Sequence, residues 1–224
     1  MTVVAASAPQ ASRKVALTTF AVAAAAHLVS LAAGITWLEW ASKAVLIPAL
    51  AVWVLAARGP RLIVAALGLS AAGDITLQFD SLFIVGMGFF AAAHVCYVTY
   101  FVRAGALRRR WPITALYAAT WAALIVLLWP GLGALRIPVA LYALLLTGTA
   151  ATSAGFGLRT GLGGLLFFVS DGLISLRLAD LPQPPLADLW IMSTYIAAQY
   201  LLASGVLRAQ RATSPTPQAA PAVV

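Results

Sequence analysis

Two aspartates, Asp74 and Asp171, sit inside long apolar runs of this chain. A charged side chain at the centre of a bilayer costs about 2.5–3.5 kcal/mol on insertion scales. Such a residue must face a bundle interior, meet a partner or be protonated. Two carboxylates held together in a low-dielectric site cannot both ionise easily, so the pair can supply one acid and one base. Competing chemistries are missing from the sequence. There is no Gly-x-Ser-x-Gly elbow, no rhomboid-like Gly-x-Ser-Gly, no Walker A motif, no His-Glu-x-x-His and no dinucleotide glycine pattern. His27 and His94 are the only histidines, which excludes a three-histidine zinc site, and Cys96 is the only cysteine, which excludes an internal disulfide. The expectation is acid–base chemistry with no metal and no cofactor.

Helical spacing gives each aspartate polar or aromatic company. Ser70, Asp74 and Gln78 share one face at i, i+4, i+8, and Phe167, Asp171 and Ser175 share another. Phe90, His94 and Tyr97 lie together on a third segment, and Tyr195 and Gln199 lie one turn apart on a fourth. Glu39 and Lys43 form an i, i+4 pair. A purely structural reading stays open: Asp74 pairs with Lys43, and Asp171 bonds Gln199 or Tyr195, only to lock helices together. His27 reads as a packing or hydrogen-bonding residue. Thr147, Thr149, Thr152 and Ser153 can bond their own helix backbone. Gly161, Gly163 and Gly164 read as sites of close helix contact.

The elements that must hold these residues are transmembrane helices. Of 224 residues, 62% are hydrophobic and only 9% charged, against about 25% charged in a soluble globule. The fold class is all-α, a polytopic transmembrane helical bundle of eight spans. They cover about 15–37, 38–57, 62–79, 82–102, 112–129, 134–154, 161–178 and 186–207, with a tight turn at Asp80-Ser81. Residues 13–211 form one membrane domain, and the Ala-, Pro-, Ser- and Thr-rich tails 1–12 and 212–224 are expected to be disordered. The first apolar run, behind Arg13 and Lys14, is too long for a signal peptide and reads as a retained span.

The net charge of +8 lies at the ends of the apolar runs, as topology signals and lipid headgroup contacts do, and does not imply nucleic acid. With the N-terminus cytoplasmic, Arg13, Lys14, Arg58, Arg61, Arg103, Arg108, Arg109, Arg110, Arg159, Arg208 and Arg211 fall on that side. Only Lys43, Arg136 and Arg177 fall opposite. The asymmetry implies an N-in, C-in, multi-pass protein of the inner (cytoplasmic) cell membrane. Trp37, Trp40, Trp111, Trp129 and Trp190 lie near span ends, as an aromatic belt requires. Asp74 and Asp171 then belong at similar depth in the outer half of parallel spans. Those spans are four apart, which would also fit a four-plus-four repeat and a small lipid or solute transporter.

The chain resembles the YhhN family, the lysoplasmalogenases. The resemblance rests on Gly73-Asp74 with Leu77; on Phe83, Gly86, Phe90, Ala93-His94 and Tyr97; on Phe167-Phe168-Val169-Ser170-Asp171; and on Tyr195-x-x-Ala198-Gln199-Tyr200. Lys43 to Pro48 is similar to the family's Lys-Pro-Leu-x-x-Pro stretch, with Ala44 in place of the first proline. The resemblance implies an intramembrane hydrolase that cleaves the vinyl-ether bond of a lysophospholipid substrate to a fatty aldehyde and a glycerophospho-headgroup. It implies Asp74 and Asp171 as acid and base, in an unassigned order. Lys43, His94, Tyr97, Tyr195, Gln199 and Ser170 would then orient the aspartates or bind the substrate, with Lys43 as phosphate partner. Oligomeric state is not implied.

Overall fold

Apolar runs without water must satisfy every backbone N–H and C=O internally, and in such runs the helix is the element that does so within one segment. The computed structural model describes residues 8–106 and 111–213 and contains eight α-helices there. They are α1 (Ala8–Ala33), α2 (Thr36–Ala56), α3 (Arg61–Thr76), α4 (Phe83–Arg103), α5 (Trp111–Leu128), α6 (Arg136–Phe156), α7 (Leu158–Leu178) and α8 (Ala187–Thr213). No strand occurs among the described residues. Arg108, Arg109 and Arg110 of the basic loop lie outside them, as do residues 1–7 and 214–224.

Among the described residues six segments are long and apolar enough to cross a membrane: those in α1, α2, α4, α6, α7 and α8. Helix α3 has 16 residues, about 24 Å at 1.5 Å per residue, and α5 contributes the shorter apolar stretch Pro112–Leu128. The protein is a multi-pass membrane protein.

Several boundaries differ from expectation. The break between α1 and α2 falls at Gly34, not after Trp37, because Gly34 takes a left-handed φ of +68° that ends the helix. Residues 8–12, expected in the tail, form the start of α1. Helix α3 stops at Thr76, so Gln78 lies beyond it rather than on the stripe of Ser70 and Asp74. Asp80-Ser81, expected as a tight turn, lies in one turn of 3₁₀-helix, Asp80–Leu82.

Each helix packs on its neighbours in sequence, except that α4 packs on α6 rather than α5. Helix α8 also touches α1 and α2, bringing the last helix back to the first. Helix α5 packs on α6 and leans on α7 through Tyr117 and Phe168, whose rings are 6.0 Å apart. The main core runs through α1, α2, α3, α4, α6, α7 and α8, with Leu46, Leu50, Ile63, Leu67, Tyr97, Phe101, Phe167 and Leu202 fully enclosed. Small residues bring the helices together as expected. A Cβ on Gly163 would lie 2.9 Å from the Leu202 backbone nitrogen, so α7 and α8 meet there backbone to backbone.

Candidate active site

A helix, rather than any loop, sets the position of each aspartate. Asp74 lies in the last turn of α3 and Asp171 in the C-terminal half of α7. Both are buried, with 4% and 7% of their surface exposed. Both line a single cavity of about 120 Å³. Its walls come from the N-terminal halves of α2, α4, α6 and α8 and the C-terminal ends of α3 and α7, so it sits at one end of the bundle. Leu77, Phe83, Met87, Phe90, Val139 and Ile174 make most of the lining apolar. Trp37, Trp40, Trp129 and Trp190 are exposed at that same end, on the starts of α2 and α8 and the turn after α5. An exposed tryptophan ring suits a membrane–water interface.

A different tyrosine holds each carboxylate. Tyr195 of α8 donates its hydroxyl hydrogen to Asp74 Oδ2 across 2.7 Å. Tyr142 of α6 donates to Asp171 Oδ2. The helix-locking partners considered from sequence are therefore wrong in detail. Tyr195 serves Asp74, not Asp171, and Gln199 Oε1 accepts from Tyr97 Oη at 2.6 Å. Among the described residues Lys43 makes no ion pair with Asp74 or with Glu39. Instead Lys43, half-buried, lines the cavity with no carboxylate within salt-bridge distance. Helix rotation explains the change: i, i+4 spacing puts Lys43 and Glu39 on adjacent turns, but nothing in it forces their side chains together when one is drawn to a cavity.

The other expected residues divide into two layers. Ser170 lines the cavity and donates to the Ile191 carbonyl at 3.0 Å, pinning α7 to α8. Ser175 lines it too, its hydroxyl bonded to the Asp171 carbonyl. His94, Tyr97 and Gln199 are fully buried behind the wall. His94 Nε2 lies 3.2 Å from Tyr142 Oη and 4.0 Å from Asp171 Oδ2, and its Nδ1 lies 3.1 Å from Thr149 Oγ1. Phe167 packs its ring against His94, Phe90 and Tyr195, with centroids 4.8, 6.4 and 5.5 Å away, and fills the space between the two aspartate arms.

Tyr142 and Thr149 were not identified from the sequence. Thr147, Thr152 and Ser153 do bond their own helix, while Thr149 turns to His94. The signal was present: Tyr142 and Thr149 are seven residues apart on α6 and so share a face. His27 is buried and its Nδ1 meets Ser42 Oγ at 3.0 Å, a hydrogen-bonding role away from the cavity. Among the described residues no three His, Cys, Asp or Glu side chains converge to hold a metal ion.

The YhhN family profile matches residues 38–206, which contain every residue of this site. The chain belongs to the YhhN family. This YhhN protein is 34% identical over 182 residues to lysoplasmalogenase TMEM86B of Homo sapiens, covering 74% of this chain and 71% of that protein. It is 33% identical over 178 residues to a lysoplasmalogenase of Mycobacterium tuberculosis (strain CDC 1551 / Oshkosh), covering 74% of this chain and 67% of that one. No solved structure matches it significantly.

Proposed function

We propose that this YhhN protein is a membrane-embedded hydrolase that cleaves the vinyl-ether bond of lysoplasmalogens, or of a related lysolipid, to a fatty aldehyde and a glycerophospho-headgroup. The observation that carries the reading is that two buried aspartates, each held by a tyrosine, line one apolar cavity. The curated relatives named lysoplasmalogenase support the substrate class.

Acid–base chemistry suffices for this bond. One protonated aspartate gives its hydrogen to the alkene carbon, and the ether carbon becomes an oxocarbenium ion. Water adds to that carbon while the other aspartate takes its proton. In the collapse of the hemiacetal the roles reverse. The first aspartate accepts the hydroxyl hydrogen, and the second returns its proton to the departing glycerol oxygen. The sum is one water consumed, one aldehyde and one alcohol formed, with both aspartates restored.

The cavity is smaller than the ~300–1,000 Å³ that encloses a drug-sized ligand whole. In this reading the vinyl ether enters and the alkyl chain stays in the bilayer. Lys43, a cation in the cavity wall with no ion pair among the described residues, receives the headgroup phosphate. The charge asymmetry and the exposed tryptophans support a reading in which the protein has eight spans in the inner membrane, N-in and C-in, and the cavity lies in the outer half.

Aldehyde release from a lysoplasmalogen by the purified protein tests the reading. Wild type is expected to release aldehyde, and Asp74→Asn and Asp171→Asn are each expected to lose at least about 100-fold, the lower range for general acid–base catalysis. Full activity in either variant overturns the two-aspartate mechanism.

A further inference from the structure

Behind Asp171 runs a continuous hydrogen-bond chain through Tyr142, His94 and Thr149, and behind Asp74 stands a companion arrangement of Tyr195, Gln199 and Tyr97 in which the link from Gln199 Nε2 to Tyr195 is not made. The Asp171 chain can be oriented by elimination. Tyr142 has one hydroxyl hydrogen and gives it to Asp171 Oδ2, so toward His94 it can only accept. His94 Nε2 must therefore carry a hydrogen. In the neutral ring Nδ1 then accepts, and Thr149 Oγ1, 3.1 Å away, is the donor; the alternative acceptor for Thr149, the His94 carbonyl, is more distant at 3.5 Å. The order of donation is Thr149 to His94 to Tyr142 to Asp171.

The Asp74 arrangement is similar. Tyr97 donates to Gln199 Oε1, the buried Gln199 Nε2 has no hydrogen-bond partner among the described residues, and Tyr195, one helical turn from Gln199, donates to Asp74. Each arrangement thus ends on a tyrosine that touches an aspartate, and each has a fully buried planar N–H group behind that tyrosine. In one the group is an imidazole, in the other a carboxamide. The carboxamide cannot exchange protons in its range of use, yet it occupies the equivalent place.

We propose that His94 serves this site as a hydrogen-bond donor that fixes the Tyr142 hydroxyl on Asp171, not as an acid or base, and that Tyr142 is the positioning residue through which it acts. This rests on the hydrolase reading above, since it assigns a task to residues of that same cavity. The charged and titratable groups that share the cavity lining with Tyr142 are Asp74 from α3, Asp171 from α7, Tyr195 from α8 and Lys43 from α2. None but Asp171 lies within salt-bridge distance of His94. The ring has Tyr142 on one nitrogen and Thr149 on the other, and it is wholly enclosed, so substrate cannot reach it.

A set of substitutions separates a donor from a proton carrier. His94→Gln keeps a planar N–H behind Tyr142, the place that the Gln199 carboxamide holds behind Tyr195. His94→Leu removes it, and Tyr142→Phe removes the link while keeping the ring. Expected in the aldehyde-release assay are a kcat within about fivefold of wild type for His94→Gln and a pH profile of unchanged shape. Tyr142→Phe and His94→Leu are expected to lose at least about tenfold in kcat with KM within about twofold. The double variant His94→Leu/Tyr142→Phe is expected to be no worse than the weaker single variant. A melting temperature for each variant identifies any that fail to fold, and His94→Gln and Tyr142→Phe, which retain size and polarity or ring packing, carry the decision if His94→Leu does. Loss in His94→Gln as deep as in His94→Leu, or as deep as in Tyr142→Phe where His94→Leu fails to fold, or a pH limb that disappears with the imidazole, overturns the donor assignment. Wild-type kinetics in Tyr142→Phe overturn the positioning role. If wild type itself releases no aldehyde, the hydrolase reading falls, and this inference falls with it.

Discussion

Tyr195 on α8 reaches Asp74 on α3 across 2.7 Å, joining two helices that are five elements apart in the chain. The bond does two things at once. It satisfies a carboxylate buried to 4% exposure, and it sets which oxygen of that carboxylate is left to face the cavity. Tyr142 does the same for Asp171 from α6. Among the described residues no lysine or arginine lies within 4.0 Å of either aspartate carboxylate, and His94 Nε2 is 4.0 Å from Asp171 Oδ2.

Tyr195→Phe follows directly. The ring packs edge-on against Phe90 and Phe167, with centroids 5.9 and 5.5 Å away, so phenylalanine keeps the packing. The hydroxyl alone is lost, leaving Asp74 without its donor. A buried polar group deprived of its partner costs about 1–3 kcal/mol. A lower melting temperature in detergent and at least about tenfold slower aldehyde release are expected; unchanged values for both would mean the bond carries nothing.

Gly73→Ala tests the α3–α4 approach beside the site. A Cβ there would lie 2.6 Å from Phe90 Cδ2 and 3.3 Å from the Gly86 carbonyl oxygen. Phe90 cannot simply turn away, because it lines the cavity and packs on Phe167 and Tyr195. Overpacking of this kind costs about 1–3 kcal/mol. Thermal unfolding should show the loss, and turnover should fall with it because Asp74 is the next residue.

Lys43→Ala separates binding from chemistry. Lys43 lines the cavity and pairs with no carboxylate, so its removal should weaken phosphate binding and leave the aspartates in place. KM for a lysoplasmalogen is expected to rise about tenfold, equivalent to about 1.4 kcal/mol, with kcat within about twofold. An alkenyl glycerol without phosphate should show no such difference between wild type and variant. Equal loss on both substrates would remove Lys43 from the phosphate role.

Arg177→Ala is expected to do little. Arg177 and Asp188 form an ion pair of 2.7 Å at the start of α8, but their side chains are 50% and 64% exposed. Exposed pairs contribute about 0–1 kcal/mol. The melting temperature should stay within a few degrees and activity within about twofold, and a large change in either would show that the α7–α8 connection is coupled to the site.

Much of the fold is legible in the sequence for a physical reason. Apolar length and the bilayer's demand for internal hydrogen bonding leave the helix as the form each run can take, so the order of helices follows from composition and breaks. Boundaries were less legible. Gly34 ends α1 three residues before the expected break, because an apolar run continues through Ile35 to Leu38 and hydropathy cannot see a left-handed turn. Leu77 to Phe79 look helical by the same measure, yet α3 ends at Thr76.

The site divides along the same line. The sequence by itself determined that Asp74 and Asp171 are costly in an apolar run, and helix spacing put Tyr195 with Gln199 and His94 with Tyr97 on shared faces. Those are relations within one helix, where 3.6 residues per turn fixes what lies beside what. Which tyrosine meets which aspartate is a relation between helices. It depends on the rotation and height of α3 against α8 and of α6 against α7, set by contacts such as Gly73 on Phe90 and Gly163 on Leu202. Only the tertiary structure could therefore give Tyr195 to Asp74, bring Tyr142 and Thr149 into the site, and leave Lys43, with no ion pair among the described residues, in the wall of the cavity that both aspartates share.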